Sequence, residues 1–238
     1  MVKKNFLCII TARKNSKGIK DKNLQKIKNK ELIYYPIKAA LKSKYINDVI
    51  VSTDSTQIAK ISKKHGANVP FLRPKKFAKD KSPSHEAITH CILFLEKNNF
   101  FYEYIVLLEP TSPLTTTKDI DKAIETLLKN KSGAEALVTV TKAEQSHPIF
   151  MVKKNKNNFI KPYLNKLFQF KRRQDLTELY FFDGSLYISK TNIYLEKKTF
   201  NHSKTLAHEL PKYKYIEIDD KIDLQLARIL LNNLKKIN

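Results

Sequence analysis

The stretch NFLCIITARKNSKGIKDKN, residues 5–23, joins an apolar run to a strongly basic segment. The apolar run is typical of a strand covered on both faces. The thirteen residues after it contain one glycine, Gly18, and five cationic side chains. Such a loop can hold a polyphosphate, with Arg13 as a bidentate clamp and Lys22 as a point charge. It lacks the Walker and dinucleotide-binding glycine patterns, so a solvated basic loop is the alternative.

Apolar strand patterns alternate with helical patterns through the first 140 residues. We expect strands at residues 5–10, 48–52, 104–108 and 136–141, and helices at residues 31–42, 56–65, 84–98 and 119–129, with Ser84 as an N-cap. This alternation predicts an α/β fold with a doubly wound, mostly parallel sheet and helices on both faces. Ligands of such sheets bind at the carboxyl ends of the strands, so we expect the site there.

The alternation stops after Thr141. Residues 142–182 mix aromatics, lysines and asparagines without clear periodicity, which indicates an excursion from the sheet within one domain of residues 1–238. The excursion is a candidate subdomain, flap or subunit contact. We expect strands at residues 185–189 and 213–218 and a closing helix at residues 220–237. The predicted inward face of that helix consists of Ile222, Leu226, Ile229, Leu230 and Leu234.

Composition limits the function classes. The net charge of +22 raises a nucleic-acid alternative, but lysines are spread along the chain without a basic tail, which favours compositional drift. No apolar run approaches the ~18–20 residues of a membrane span, and no secretory pattern precedes the first strand, so we expect a cytoplasmic protein. Cys8 and Cys91 have no metal-ligand spacing and indicate reduced core thiols.

Motifs in a fixed order carry a resemblance that covers nearly the whole chain. They are A-R-x-x-S-K-G-x-x-x-K-N at 12–23, V-S-T-D at 51–54, R-P-x-x-x-A-x-D at 73–80, P-T-S-P-L at 110–114, R-Q-D-L at 173–176, G-x-L-Y-I at 184–188 and I-E-I-D-x-x-x-D-L at 216–224. In this the chain resembles the acylneuraminate cytidylyltransferases, the synthetases of CMP-sialic and other CMP-nonulosonic acids. The enzymes that activate 2-keto-3-deoxy-octonate match more loosely.

The resemblance implies a Rossmann-like nucleotidyltransferase fold, CTP as donor, an acidic sugar as acceptor, Mg²⁺ as cofactor and a homodimer that binds neither nucleic acid nor membrane. It implies catalytic roles for Arg13, Lys22 and Asp219. The implied nucleotide-binding residues are Ala12, Arg13, Ser16, Lys22, Asn23, Arg73, Ser82 and Ser84. The implied acceptor-binding residues are Glu109, Thr111, Ser112, Arg173 and Asp183. The implied metal ligands are Glu217 and Asp219.

The metal assignment has a physical basis in the predicted strand at residues 213–218. Side chains two apart on a strand leave the same face, so Glu217 and the adjoining Asp219 are expected to share one ion. Mg²⁺ prefers hard oxygen ligands and commonly takes one or two carboxylates together with phosphates and water.

Four positions depart from the family pattern on the presumed sugar side. Glu109 stands where a glutamine is usual, Thr115 and Phe181 where arginines are usual, and Asp183 where an asparagine is usual. The basic loop is intact. The sequence therefore predicts CTP binding and defines the acceptor only as a class: a sialic, legionaminic, pseudaminic or other 3-deoxy-2-keto acid. We expect an amino-substituted acceptor, because Glu109 would repel an anionic sugar. A relative that binds nucleotide without turnover is a further alternative.

Overall fold

The computed structural model describes residues 5–16, 18–79, 82–144, 146–164 and 172–237, without the side chains of Arg173 and of residues 235–237. The strands are β1 Phe6–Thr11, β2 Lys26–Ile27, β3 Lys30–Glu31, β4 Ile46–Ser52, β5 Tyr104–Leu108, β6 Ala136–Lys142, β7 Val152–Lys154, β8 Ile160–Pro162, β9 Tyr180–Lys190 and β10 Thr205–Glu209. The α-helices are α1 Tyr34–Leu41, α2 Thr56–Lys64, α3 Ser84–Lys97, α4 Thr117–Lys129, α5 Thr191–Lys197 and α6 Lys221–Ile237.

Six strands form the main sheet, in the order β10-β6-β9-β5-β1-β4. β1 runs parallel to β4 and β5, and β10 runs parallel to β6, whereas β9 is antiparallel to both of its neighbours. The predicted mostly parallel sheet is confirmed. Because β9 runs in the opposite direction, its first half lies at the edge where β5 and β6 end.

Both faces of the sheet are covered, as the continuous apolar strands predicted. Along β1, Phe6, Cys8 and Ile10 join one core with α1, α2 and α4, while Leu7 and Ile9 join a second core with α3 and α5. Cys8 and Cys91 are buried free cysteines, and burial raises the pKa of the Cys91 thiol to about 12. They are therefore core residues, as predicted.

Three helix boundaries differ from prediction. α1 begins at Tyr34, because residues 30–31 pair as β3; Pro36 then lies in its first turn, where a missing N–H breaks no intrahelical bond. Ser84 is the first residue of α3, and the N-cap position belongs to Pro83. α4 starts at Thr117 behind a capping box formed by Thr116 and Asp119.

The strand predicted at residues 213–218 is wrong. Residues 212–214 form a 3₁₀ turn, and the segment that follows pairs with no strand of the described chain. Its alternation has another cause: Ile216 and Ile218 are buried against Leu114 in a third core, and the Ile218 N–H donates to the Thr111 carbonyl at 2.9 Å. β10 was not predicted, since it is only half-buried.

The predicted inward face of α6 is partly wrong. Leu224, Ala227 and Leu231 are the buried residues, with Leu230 and Leu234 packed partly against them. The remaining predicted positions, Ile222, Leu226 and Ile229, are exposed. The inward face includes the small residue Ala227, whereas the prediction was based on large apolar side chains.

The chain leaves the main sheet between β6 and β9, whereas the predicted excursion of residues 142–182 also takes in the end of β6 and the start of β9. The described part contains two 3₁₀ turns, Pro148–Phe150 and Arg173–Asp175, and the two-stranded β7–β8 hairpin. Many of its apolar side chains are exposed: Phe150, Met151, Val152, Phe159, Ile160, Tyr163 and Leu164. Across the described chain, the helices are too short or too polar to cross a bilayer.

A buried ion pair holds the segment before α6 in place. The Lys214 ammonium donates to both carboxylate oxygens of Asp119, at 2.5 and 2.7 Å, and each side chain is only 10% exposed. Asp119 also accepts from the Thr116 N–H at 2.8 Å within the α4 capping box. The pair thus ties residues 212–219 to the start of α4.

We expect Lys214→Met to lower the free energy of unfolding by about 3–5 kcal/mol, because Asp119 would be left buried and unpaired. The control is Lys212→Met, which breaks an exposed pair with Glu144 at 2.9 Å and should cost about 0–1 kcal/mol. Urea unfolding measures both variants. Equal small losses would show that the Lys214–Asp119 pair does not anchor this segment.

Candidate active site

A polar cleft of about 350 Å³ opens at the carboxyl ends of β1 and β5. Its polar and charged lining residues are Thr11, Arg13, Ser16, Lys22, Asn23, Arg73, Lys79, Ser82, Ser84, Glu109, Thr111, Glu217 and Asp219. The structure therefore brings the basic loop of residues 11–23 and the acidic segment of residues 215–219 to one place, although they are about 200 positions apart.

Hydrogen bonds from neighbouring strands hold the basic loop. The Ala12 N–H donates to the Ser52 carbonyl at 3.0 Å, and the Lys14 N–H donates to the Asp54 carboxylate at 2.8 Å. Within the loop, the buried Asn23 side chain donates to the Arg13 carbonyl at 3.0 Å. The V-S-T-D motif at the end of β4 thus anchors the loop that carries Arg13.

The basic loop also rests directly on the acidic segment. A Cβ on Gly18 would overlap the carbonyl oxygen of Asp219, so only glycine permits this approach. The Lys22 ammonium donates to the Ile218 carbonyl at 2.8 Å and to the Asp219 carboxylate at 2.9 Å. Lys22 is mostly buried whereas Asp219 is largely exposed, so Asp219 stays accessible from the cleft.

The start of α6 fixes the backbone of Asp219. Asp220 accepts from the N–H groups of Ile222 and Asp223 at 2.7 and 3.0 Å. Asp223 in return accepts from the N–H groups of Asp219 and Asp220, both at 3.0 Å. This reciprocal capping explains the spacing I-E-I-D-x-x-x-D: the last aspartate positions the first.

Carboxylates crowd the floor of the cleft. Burial and the nearby Asp219 raise the pKa of Glu217, and burial together with Glu217 raises the pKa of Glu109 to about 8, against the opposing effects of Arg73 and Lys22. Gly184, at φ +76°, lets the backbone lie against Glu217, since a Cβ there would be 3.0 Å from its Oε2. Burial is the main cause of both shifts, and the neighbouring carboxylates add to it because Arg73 and Lys22 offset them only in part.

The donor chemistry of this floor fits a divalent cation. Glu217 and Asp219 supply hard carboxylate oxygens, and a cation would relieve the repulsion that raises the pKa of Glu217. Among the described residues there is no group of three or more acidic, histidine or cysteine side chains that could hold a metal ion without other ligands. Such an ion would need phosphate and water as its remaining ligands.

The opposite wall of the cleft comes from residues 73–79 and 82–87. Arg73 is buried, and its guanidinium donates to the Ser52 hydroxyl at 3.1 Å and to the Ser52 carbonyl. The Ser82 hydroxyl donates to the Lys76 carbonyl at 2.8 Å and so closes the loop. At the start of α3, no described side chain caps the helix, which leaves its positive end beside the cleft.

Four of the residues implied by the resemblance are not seen in the cleft lining. Ala12 is fully buried and contributes only its backbone, and Ser112 is buried within the turn after β5. Asp183 lies beneath the cleft, where it accepts from the hydroxyls of Thr139 and Ser185, each at 2.6 Å. The side chain of Arg173 lies outside the described residues.

Two residues with no role assigned from the sequence line the cleft, whereas two of the departures from the family pattern, Phe181 and Thr115, are not among its lining residues. Lys79 and Phe77 line the cleft beside Arg73, within the R-P-x-x-x-A-x-D motif whose spacing could have indicated them. Phe181, which replaces an arginine of the family pattern, packs edge-on against Tyr215 with ring centroids 5.3 Å apart. Thr115 is buried and its hydroxyl has no hydrogen-bond partner among the described residues.

Comparisons with known proteins agree with this geometry. A cytidylyltransferase family model matches residues 7–237. The chain is 32% identical over 227 residues to the pseudaminic acid cytidylyltransferase of Campylobacter jejuni, across 94% of this chain and 95% of that protein. It is 32% identical over 222 residues to the N-acylneuraminate cytidylyltransferase of Escherichia coli, across 93% of this chain and 51% of that protein.

The fold is shared with solved structures of low sequence identity. One of them is a CMP:2-keto-3-deoxy-manno-octonic acid synthetase complexed with CTP. It has a TM-score of 0.69 at 14% identity, over 97% of this chain and 99% of that one. The likeness confirms the predicted Rossmann-like nucleotidyltransferase fold.

We expect Gly18→Ala to weaken binding of inorganic tripolyphosphate at least about tenfold, because the new methyl group would separate the basic loop from Asp219. The control is Gly133→Ala: Gly133 has φ +76° and no neighbouring atom within 4 Å. It should cost about 1–2 kcal/mol in stability and leave binding unchanged. Calorimetric titration measures affinity; an unaltered Gly18→Ala affinity would contradict the described contact.

Proposed function

The chain belongs to the cytidylyltransferase family, and from that premise we propose that it transfers CMP from CTP to the anomeric hydroxyl of a nonulosonic acid and releases pyrophosphate. The observation that carries the proposal is the meeting of the basic loop with Glu217 and Asp219 in one cleft. The reaction belongs in the cytoplasm, where nucleoside triphosphates are made, and supplies activated sugars for surface glycans.

The cleft divides into a triphosphate side and a nucleoside side. Arg13 and Lys22, together with backbone N–H groups of the basic loop, bind the triphosphate. The wall that holds Arg73, Ser82 and Ser84 receives the cytidine. Lys22 then exchanges part of its contact with Asp219 for phosphate oxygens, which leaves that carboxylate available for a cation.

Mg²⁺ is the proposed cofactor, held by Glu217 and Asp219 together with the triphosphate. When bound, it supplies charge neutralisation at the phosphates and can lower the pKa of a nearby hydroxyl. Two protein carboxylates are enough for this role, since Mg²⁺ usually keeps water and phosphate as its other ligands.

The protein's part in the reaction is positioning and electrostatic stabilisation. The anomeric oxygen attacks the α-phosphorus and forms a new P–O bond, the bond from that phosphorus to the pyrophosphate oxygen breaks, and the hydroxyl proton passes to water. Arg13 and Lys22 stabilise the charge that collects on the departing pyrophosphate. The fixed loop holds the phosphates in line, which removes an entropic cost from the step.

The acceptor is proposed as a class. Identity to the pseudaminic and N-acylneuraminate enzymes is the same, 32%, so identity alone does not select between their sugars. Glu109 lines the cleft, and Phe181 packs on Tyr215 where the family pattern has an arginine. The Phe181 change removes a cation that could pair with the acceptor's carboxylate, so more of the acceptor affinity must come from amino-derived substituents. Burial raises the pKa of Glu109 to about 8, so its protonated carboxyl can donate a hydrogen bond to such substituents. Legionaminic acids and other 3-deoxy-2-keto acids remain in the class.

The excursion is proposed as a homodimer contact. Its exposed apolar side chains lie close together on the β7–β8 hairpin and its flanks. A cluster of exposed apolar side chains of this kind is typical of a permanent subunit interface rather than of a monomer surface. A second copy of the chain is the proposed occupant, because a two-fold interface would pack the hairpin of one copy against the same hairpin of the other.

We expect pyrophosphate release when the protein is given CTP, Mg²⁺ and a nonulosonic acid, with more activity on amino-substituted acceptors. Asp219→Asn should lower kcat at least about a hundredfold, because the metal carboxylate is lost. The control, Glu196→Gln, changes an exposed carboxylate on α5 and should leave turnover intact. Tight CTP binding without release for any acceptor would favour a nucleotide-binding relative instead.

The dimer proposal predicts a mass of twice 27.7 kDa in solution. Phe159→Asp should shift the population towards monomer, because it places a charge on the hairpin surface. The matched control is Phe101→Asp, a similarly exposed phenylalanine outside the excursion, at 64% against 70%. Light scattering after size exclusion measures the mass. A monomeric wild type, or equal effects of both variants, would contradict the proposal.

A further inference from the structure

A second cavity, of about 510 Å³, lies beside the nucleotide cleft and against α3. We call it the α3 cavity. Phe77 lines both the cleft and the α3 cavity, so this one ring forms part of a wall between them. The proposed reaction assigns no role to the second cavity.

The helical repeat of α3 explains why one helix serves both spaces. Ser84 and Ala87 line the cleft, whereas the stripe through Glu86, His90 and Lys97 lines the α3 cavity. Leu93 belongs to the same stripe and is 50% exposed. The outward face of α3 is therefore apolar at its centre and carries charges at its two ends.

The centre of the α3 cavity is aromatic. The His90 ring lies between two phenylalanines, with centroids 4.8 Å from Phe71 and 5.4 Å from Phe77. Phe94 completes this surface, 4.8 Å from Phe71. Burial, Arg73 and Lys76 lower the pKa of His90, so at pH 7 the ring is neutral and adds to the apolar surface.

The charged groups indicate the polarity of an occupant. Lys97 and Lys198 line the α3 cavity, and both residues are exposed. Glu86 lies eleven residues before Lys97, which places it about 16 Å away along the helix axis. One end of the cavity is therefore positive and well separated from the carboxylate.

We propose that the α3 cavity is a second binding site, for a small flat aromatic anion, and that Phe77 is the wall it shares with the nucleotide cleft. The aromatic part of the ligand packs on Phe77, His90 and Phe94, and its anionic group pairs with Lys97 and Lys198. A ligand in the α3 cavity that packs on Phe77 alters the position of this ring, which also lines the nucleotide cleft. Linkage then requires that each ligand alter the other's affinity by the same factor.

The first test uses the full chain and the fluorescent probe 1-anilinonaphthalene-8-sulfonate, without nucleotide. Leu93→Glu should weaken probe binding about tenfold or more, because it places a carboxylate beside the anion. The matched control is Leu226→Glu, since Leu226 is also an exposed leucine on a helix, at 45%. Equal probe affinity in the two variants would overturn the site, whatever the catalytic activity proves to be.

A second variant tests the positive end. Lys198 has φ +53°, a conformation that asparagine tolerates, so Lys198→Asn removes the charge without straining the backbone. Probe binding should weaken about two- to fivefold. An unchanged affinity would remove Lys198 from the site.

The shared wall is tested by repeating the titration with saturating CTP and Mg²⁺. The dissociation constant of the probe should change at least twofold while binding persists. Complete competitive displacement would place the probe in the nucleotide cleft and overturn the proposal. An unchanged constant would show that Phe77 does not couple the two cavities.

Discussion

The site depends on the contact between the basic loop and the acidic segment. Gly18 lies against the Asp219 backbone, and Lys22 bridges the Ile218 carbonyl and the Asp219 carboxylate. Other restraints act on one side or the other of this contact: the end of β4 holds the loop, and the α6 cap together with the Lys214–Asp119 pair holds the segment. Cations of the basic loop and carboxylates of the acidic segment are thus preset a few ångströms apart.

The chain has a net charge of +22, yet the floor of the cleft is acidic because the contact with the basic loop places the acidic segment there. Burial raises the pKa of both Glu109 and Glu217, with a further contribution from Glu217 at Glu109 and from Asp219 at Glu217. Arg13 and Lys22 line the side where a triphosphate would bind. An anionic nucleotide and a divalent cation together match this arrangement better than either does alone.

The sequence predicted the buried elements well and the half-buried ones poorly. β1 and β5 are continuous apolar runs, a pattern typical of buried strands. β10 is half-exposed, and its sequence has no such run to indicate a strand. Residues 213–218 alternate because Ile216 and Ile218 face a core without a neighbouring strand. Motif spacing identified most of the cleft. It could not show that Ser112 turns inward or that Asp183 lies beneath the cleft, since both depend on tertiary packing.

A structure with CTP and Mn²⁺ tests the central claim most directly, because the anomalous signal of manganese locates the cation. We expect the peak to mark a cation bound by carboxylate oxygens of Glu217 and Asp219 and by phosphate oxygens, with Lys22 contacting the triphosphate. A cation held away from both carboxylates, or a triphosphate bound outside the basic loop, would contradict it.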